Sequence, residues 1–265
     1  MTTISAKVIA DSVAEDTRIR LLTFELRYPR FVHAEFMTHR VFSRNASSSR
    51  AIPVKRLIAT VLHDMAEPVH WGKNQPGMQA REELSGWRLV AARLLWRSAG
   101  RAAVLFARGM AALGAHKQIV NRLIEPFSHI TVVVTATEWE NFFALRLHED
   151  ADPTIRELAY VMDCVARAST PLVLKPGQWH LPYAADEGRA VSAARCARTS
   201  YLTHDGQRPT AADDLALFQR LVEANPPHLS PVEHQATPSG DREFHKNFRG
   251  WIQFREEIEH DRYSA

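Results

Sequence analysis

The run from residue 38 to residue 50 constrains the fold more than any other feature, because it lacks the apolar periodicity that core helices and strands need. It concentrates donors that bind oxyanions. Guanidinium groups are planar and permanently charged, and serine hydroxyls and backbone N–H groups can surround a phosphate. The donors are Arg40, Arg44, Arg50, Ser47, Ser48 and Ser49. The run predicts either a nucleotide-phosphate site or a solvated, serine-rich loop.

The segments around this run predict a helix-rich α+β chain. Alternating apolar residues predict strands at residues 4–10 and 20–26, and residues 30–38 continue in extended form towards the run. Asp152 stands where a helix N-cap is expected, and residues 171–186 have the proline and glycine content of a loop. Helical spacing predicts helices at residues 53–65, 81–113, 137–147, 153–168 and 211–224.

Length and composition exclude several classes of protein. The 265 residues can bury a substantial core in one large or two small domains. Residues 1–19 are too charged for a signal peptide, and no stretch approaches the ~20 apolar residues of a membrane span, so we expect a cytoplasmic protein with no membrane partner. Cys164 and Cys196 lack metal-binding spacing, which predicts two core thiols rather than a disulfide or a zinc site.

The charge balance leaves two kinds of partner open. A net charge of +3 and a pI near 9.0 are compatible with an anionic small substrate and with nucleic acid. Residues 87–113 combine many arginines with apolar residues at helical spacing. Such a helix either binds a membrane or nucleic acid, or packs against a core or a second subunit with its arginines solvated. We expect the packed arrangement, because it is the commoner one.

The spacing His39-Arg40, seven residues, Ser48 is similar to the nucleotide- and flavin-binding motif of flavin-dependent thymidylate synthases, written Arg-His-Arg, seven residues, Ser. Arg50 follows the serine two places later, as the family pattern prefers. Thr38 replaces the first arginine, which touches the flavin in the family, so the flavin is held differently or another side chain substitutes. Two more polar residues fall at familiar spacings inside the run: Ser43 and Asn45.

Residues 141–158 resemble a second segment of the same family. They are similar to Asn-Phe-x-x-Leu-Arg followed by Ala-Gln-x-Glu-Ile-Arg, with the closest match at the start. The resemblance implies that Asn141 contacts the flavin and that Arg146 holds the uracil ring. Asp152 and Thr154 depart from the usual Gln and Glu.

The stretch at residues 117–126 resembles the family's Glu-x-x-Arg-x-x-x-Pro segment. The resemblance makes Arg122 a candidate ligand of the phosphate or the pyrimidine. Gln118 stands close to the family's glutamate but out of strict register, and it is a further candidate for substrate binding.

A third block resembles family segments in an unexpected position. Residues 228–234 are similar to His-Glu-Thr-Pro-Phe-Glu-His, and residues 193–200 to the opening Ala-Ala-Arg-x-Ser. In the family both precede the Arg-His-Arg motif, so the order here looks circularly permuted, which is tolerated when termini lie close together. Residues 248–255 partly echo the segment that leads into Arg-His-Arg, and we assign no role to Trp251, Gln253 and Arg255. The resemblance places three residues near the flavin or folate: His228, Ser230 and Glu233.

The resemblance implies one catalytic domain over residues 1–265, with a possible loop junction near residues 170–189. The implied fold is α+β and helix-rich, with a central, mainly antiparallel sheet. The family usually forms tetramers that share sites between subunits. The implied cofactor is FAD, with methylenetetrahydrofolate and NADPH as co-substrates. The implied catalytic residues are Arg146 and Ser48; the implied substrate ligands are Ser48, Ser49, Arg50, Gln118, Arg122 and Arg146; the implied cofactor ligands are His39, Arg40, Ser43, Asn45, Asn141, His228, Ser230 and Glu233.

The implied reaction is methylation at uracil C5, which needs electron density on a poorly nucleophilic carbon. An enzyme either adds a thiolate at C6 or stabilises the ring enolate electrostatically. Neither Cys164 nor Cys196 resembles the nucleophile of thiol-dependent thymidylate synthases, whereas Arg146 offers a fixed cation. Both UMP and dUMP remain open as substrates. The permuted order resembles a branch found in phages and in nucleoside-antibiotic pathways such as polyoxin biosynthesis, which favours activity on UMP alongside dUMP.

Other interpretations remain. Two His/Glu clusters, one around Glu35 and one around Glu233, predict polar pockets or core histidines more often than a metal site. Ser48 activated by His39 would be a nucleophile, but the glycine-flanked turn of hydrolases is absent. From another class, the chain could be a non-catalytic protein that binds nucleotides or RNA through the run and the basic helix, with steeply salt-dependent affinity.

Overall fold

The computed structural model describes residues 3–199 and 209–263. Ser200, the last residue of the 193–200 segment of the predicted third block, lies outside the described residues. The main sheet has five strands: β1 (Ser5–Ala14), β2 (Arg20–Pro29), β3 (Ser43–Ala46), β4 (His129–Ala136) and β5 (Leu172–Leu174). Their spatial order is β3-β4-β2-β1-β5.

The prediction of a mainly antiparallel sheet is confirmed. β2 runs antiparallel to β1 and β4, β3 runs antiparallel to β4, and only β5 is parallel to its neighbour β1. The sequence pattern did not predict β4, because this nearly continuous run of buried residues shows no alternation between apolar and polar positions. Smaller strands pair at the C-terminal side: β6 (Ala236–Pro238) with β9 (Trp251–Gln253), and β7 (Phe244–His245) with β8 (Phe248–Arg249).

The predicted helices are present, with small shifts of their ends. Asp152 caps α6 as expected, because its carboxylate accepts from Thr154 N at 2.8 Å and Ile155 N at 3.2 Å. α3 begins at Gly86 rather than at residue 81, because residues 70–84 form a hairpin joined by a bridge between Gly72 and Glu83. The helices are α1 (His33–Phe36), α2 (Val54–His63), α3 (Gly86–Ala112), α4 (Lys117–Val120), α5 (Glu140–Arg146), α6 (Pro153–Ala168), α7 (Arg189–Ala197), α8 (Ala211–Glu223) and α9 (Phe254–Tyr263).

The main core lies between the sheet and α6, and it extends to the start of the run. α6 buries one apolar stripe against β1 and β2. An aromatic cluster continues this core, with Phe36, Phe42 and Phe142 within 5.8 Å of one another between ring centroids. Their burial holds α1, the run and α5 together.

The extended conformation predicted for residues 30–38 is wrong. After Pro29 the chain forms a 3-10 turn at Arg30–Val32 and then α1. One helical turn places Val32 and Phe36, four residues apart, in the same core, whereas an extended chain would separate them.

One further expectation is corrected by the fold. Cys196 is buried as predicted, but Cys164 is exposed, because it lies off the apolar stripe of α6. The expected core packing of α3 is present along one face, where Gly100, Val104 and Ala107 are buried and the last two pack against α2 and α4. Within the described residues, no helix is long and apolar enough to cross a bilayer. The exposed apolar side chains of α3 are Trp87, Val90, Leu94, Leu95, Leu105 and Phe106.

Candidate active site

Arg146, at the end of α5, lies against the turn that opens the run. Its Nε donates to His39 Nε2 at 3.0 Å, and its Nη2 donates to Thr38 Oγ1 at 3.0 Å and to the Glu35 carbonyl at 3.2 Å. The Glu35 carboxylate lies 3.5 Å from Nη1. The side chain is 17% exposed, so a largely desolvated cation is held mainly by neutral acceptors.

His39 is buried between aromatic rings and accepts from this cation. Its ring stacks on Phe42 and meets Phe142 edge-on, with centroid distances of 5.6 and 5.0 Å. Burial, the Arg146 guanidinium and Arg44 together lower the pKa of His39 below its ordinary value. His39 is therefore neutral, and because Nε2 accepts, the ring proton lies on Nδ1.

A cavity of about 640 Å³ opens beside Arg146. It is bounded by Glu35, by the start of α6 and by the hairpin at residues 70–84. Burial and Asp152 raise the pKa of Glu35, with Arg146 opposing. The volume falls in the range of small-molecule sites. The charged lining consists of Arg81, Arg146, Arg156, Glu35, Glu149, Asp150 and Asp152.

The middle of the run contacts the third block. Asn45 Nδ2 donates to the Cys196 carbonyl at 2.6 Å and to Thr199 Oγ1 at 3.2 Å. Gln253 Nε2 donates to Ser43 Oγ at 2.9 Å and to the Glu233 carbonyl at 2.8 Å. Ser43 and Asn45 therefore hold the third block against β3.

Glu233, in the third block, is held by Ser43 and by a second residue near the C-terminus. Its carboxylate accepts from Arg255 and Ser43, and burial raises its pKa although Arg255 opposes that shift. Gln253 and Arg255, for which the sequence indicated no role, hold the third block in place. Trp251 is fully buried, and its Nε1 donates to the Ile19 carbonyl at 3.2 Å.

The end of the run contacts the segment that begins at α4. Ser49 Oγ donates to the Glu125 carboxylate, and Arg122 Nη1 lies 3.3 Å from the same carboxylate. The buried Asn121 donates to the Ser49 carbonyl at 2.7 Å and to the Ile52 carbonyl at 2.9 Å. The run is thus a polar segment that contacts all three stretches singled out in the sequence.

Several predicted residues are not drawn into these clusters. Arg40 and Arg50 are exposed, and within the described residues neither forms an ion pair. Ser48 is half-buried in the run. Four more are exposed and make no hydrogen bond to Arg146 or His39 within residues 3–199 and 209–263: Asn141, Gln118, His228 and Ser230.

Residues 12–172 match the Thy1 family, described as thymidylate synthase complementing protein, and span more than half of the 265 residues. The chain belongs to this family. The resemblance carried by the motifs is thereby confirmed. Among curated proteins, no relative matches the chain by sequence.

Solved structures show the same fold. The UMP/dUMP methylase PolB from Streptomyces cacaoi, bound with 5-Br dUMP, superposes with a TM-score of 0.54 at 14% identity, covering 63% of this chain and 91% of that chain. A second structure of that protein, bound with 5-Br UMP, gives 0.50 at 14% identity, covering 63% and 90%.

The match to the Thy1 family ends before the third block. Residues 193–200 and 228–234 lie beyond residue 172, yet their described residues pack against β3 through Asn45 and Ser43. This packing is what a permuted order requires, and the permutation stays a prediction.

Three contributors to these clusters were not assigned a place in the site. The sequence marks Glu35 only as part of a His/Glu cluster, and Asn121 and Glu125 only as parts of the 117–126 stretch. Nothing local marks them, because each acts through residues distant in sequence. As to a metal, no group of three His, Cys, Asp or Glu side chains in the described part of the chain could hold an ion. His33 instead pairs with Tyr28 Oη at 2.8 Å, and His234 with Thr135 Oγ1 at 2.8 Å.

Proposed function

We propose that the protein methylates C5 of the uracil ring of UMP, dUMP or both. Methylenetetrahydrofolate would donate the one-carbon unit, NADPH would be the reductant and FAD the bound cofactor. The observation that carries the proposal is Arg146, a largely desolvated cation held by neutral acceptors beside a 640 Å³ cavity, in a chain of the Thy1 family. The PolB structures with brominated UMP and dUMP support this substrate class.

Arg146 would activate the uracil. A fixed guanidinium in a site of low polarity would stabilise negative charge on the ring carbonyl oxygens, and the resulting enolate-like ring is the better nucleophile at C5. Because the groups that accept its hydrogen bonds are neutral, its positive charge is opposed only by the Glu35 carboxylate, 3.5 Å from Nη1, among the contacts of the described residues. Deprotonation of C5 then restores the aromatic pyrimidine, and the C5 hydrogen leaves as a proton.

The nucleotide phosphate would bind at the end of the run. Arg50 and Arg122 are exposed, and Arg122 shares Glu125 with Ser49. A phosphate would compete with Glu125 for both donors, while Ser48 and Arg50 would add further donors. We place Gln118, exposed beside this cluster in the chain, in the same role.

The residues near the run fit an anionic flavin dinucleotide. Arg40 offers an exposed cation, and Asn141, His228 and Ser230 offer exposed polar groups. His39, Ser43, Asn45 and Glu233 are engaged within the protein, so we propose that they shape this site by holding its walls. Reduced flavin, when bound, would supply the electrons that convert the transferred methylene group to a methyl group.

We also propose that the protein is a homo-oligomer, a tetramer by analogy with the family. A contiguous apolar helix face of this kind marks an interaction surface more often than a solvated one. α3 exposes such a face, with Trp87 75% and Leu105 66% exposed. Arg40 and Arg50 also lie at the surface, where a second subunit could complete the site.

The test is tritium release from C5-labelled dUMP and UMP in parallel, with FAD, NADPH and methylenetetrahydrofolate supplied together and each omitted in turn. Release that depends on all three is expected, and the ratio of the two rates identifies the preferred sugar. No release from either nucleotide, combined with steeply salt-dependent binding of RNA, would replace the proposal with a non-catalytic RNA-binding function.

A further inference from the structure

Thr38 makes two hydrogen bonds that connect the backbone of α1 to the guanidinium of Arg146. Its Oγ1 donates to the Glu35 carbonyl at 2.7 Å and accepts from Arg146 Nη2 at 3.0 Å. A hydroxyl is the smallest side-chain group that donates and accepts at once. The β-branched Thr38 also restricts its own χ1 rotation, so the acceptor is held in one direction.

The hydrogens of Arg146 can be counted. A guanidinium has five N–H donors, and three are engaged: one with His39, one with the Glu35 carbonyl and one with Thr38. The two hydrogens of Nη1 remain. The nearest carboxylate, Glu35, lies 3.5 Å from Nη1 and lines the same cavity as Arg146. Three fixed donors leave a planar group little freedom to rotate, so the turn decides where Nη1 lies.

We propose that Thr38 is a positioning residue for Arg146: with His39 and the Glu35 carbonyl it fixes the guanidinium so that Nη1 is left for the substrate. The inference rests on the proposed function, in which Arg146 acts on the uracil. It gives Thr38 a task of its own in this chain, distinct from contact with a flavin. A positively charged side chain at this position would lie beside Arg146 and repel it, whereas a hydroxyl accepts from it.

The experiment compares Thr38→Val, which keeps the shape and removes the hydroxyl, with Thr38→Ser, which keeps the hydroxyl. Thr60→Val is the matched control, because Thr60 Oγ1 also donates to a carbonyl of its own helix, that of Arg56 at 2.9 Å, but contacts no arginine. We expect Thr38→Val to lower kcat for tritium release about tenfold, as for one lost hydrogen bond to a charged group. KM for the nucleotide and the affinity for FAD should change less than about twofold, Thr38→Ser should restore kcat, and Thr60→Val should match the wild type.

A second measurement follows Arg146 without turnover. The ¹⁵N resonance of its Nε–H group, assigned by its loss in Arg146→Lys, should be sharp in the wild type and in Thr38→Ser and broadened in Thr38→Val. An unchanged resonance would overturn the inference even if the wild type released no tritium, an outcome that separately refutes the proposed function.

Thr38→Arg distinguishes positioning from flavin contact. We expect it to lower kcat at least as much as Thr38→Val. If it instead bound FAD more tightly and kept kcat, Thr38 would be a lost flavin contact and the inference would be wrong. The inference would also be wrong if Thr38→Val kept the wild-type kcat, or if Thr38→Val lost bound FAD in proportion to its loss of activity.

Discussion

The neutral partners of Arg146 decide how much of its charge reaches the cavity. A carboxylate in direct bidentate contact would neutralise the guanidinium, but here the nearest carboxylate oxygen, that of Glu35, is 3.5 Å away, and the shorter contacts at 3.0 Å go to His39 and Thr38. A neutral His39 is part of this arrangement, because a protonated imidazole has no lone pair to accept with. The lowered pKa of His39 therefore supports Arg146 as the activating residue.

Replacement of Arg146 tests whether this side chain activates the uracil ring. Arg146→Ala should abolish tritium release from the nucleotide while FAD stays bound, because the lost cation acts on the developing ring anion. Arg146→Lys should also be severely impaired, since an ammonium cannot make the three fixed contacts. Arg167→Ala, at an exposed ion pair of α6, is the control. Full activity in Arg146→Ala, measured by release and by the flavin absorption spectrum, would contradict the assignment.

Arg50 is predicted to bind the phosphate of the nucleotide. Arg50→Ala should weaken nucleotide affinity by ~2–3 kcal/mol, as expected for a lost charged hydrogen bond. Calorimetric titration with UMP and dUMP measures the change. Arg56→Ala, another exposed arginine six positions along the chain, should bind as the wild type does. If both variants bound nucleotide equally well, Arg50 would have no role in phosphate binding.

At the scale of elements, the composition of the run did not determine its conformation. The arginine and serine side chains of the run predicted a loop, yet Ser43–Ala46 forms the edge strand β3. Backbone hydrogen bonds to β4 satisfy this segment whatever its side chains are. The same strand orientation directs Ser43 and Asn45 towards the third block. Polar composition identified a candidate site, whereas the pairing partner decided its conformation.

The exposed apolar face of α3 carries the prediction at this scale. A charge at Leu94, which is 56% exposed, should break association if this face is the subunit interface. Leu94→Glu should shift the protein to smaller species in analytical ultracentrifugation. Leu215→Glu, at a leucine of α8 that is 45% exposed, is the matched control. Equal sedimentation of both variants and the wild type would place the interface elsewhere or show a monomer.

At the scale of the whole molecule, a buried network of side-chain hydrogen bonds connects distant parts of the sequence. His180 bonds to Ser12 Oγ at 2.8 Å and to Thr23 Oγ1 at 2.7 Å. Thr23 Oγ1 lies 2.7 Å from Thr135 Oγ1, which bonds to His234 Nδ1 at 2.8 Å. This network joins the strands β1, β2 and β4 to the predicted loop junction, through His180, and to the third block, through His234. These contacts favour one domain over residues 1–265, which stays a prediction.

Buried histidines predict acid sensitivity. Burial lowers the pKa of His180 and His234 to about 3, and burial with nearby cations lowers that of His33 and His129 to about 4. The unfolded chain takes up these protons below pH ~6.5 while the folded protein does not, so the free energy of unfolding should fall as pH falls. His180 and His234 each contribute up to about 1.4 kcal/mol per pH unit.

Urea unfolding at pH 7, 6 and 5 measures this slope. The raised pKa values of Glu35 and Glu233 act in the opposite direction, but they are two groups against five histidines, the four above and His39. His63→Gln, at an exposed histidine, should leave the slope unchanged. A free energy of unfolding that is constant from pH 7 to pH 5 would contradict the prediction.

The sequence by itself determined the features that depend on neighbouring residues. The cap at Asp152, the positions of α2, α6 and α8, and the family motifs around His39 and Arg146 could all be identified, because each depends on short spacings. Only the tertiary structure decided which polar residues meet. Arg146 and His39 are 107 positions apart and Gln253 and Ser43 are 210 apart, and their contacts exist because burial of apolar faces elsewhere brings them together. Local sequence carries no signal for a partner that packing supplies from a remote part of the chain.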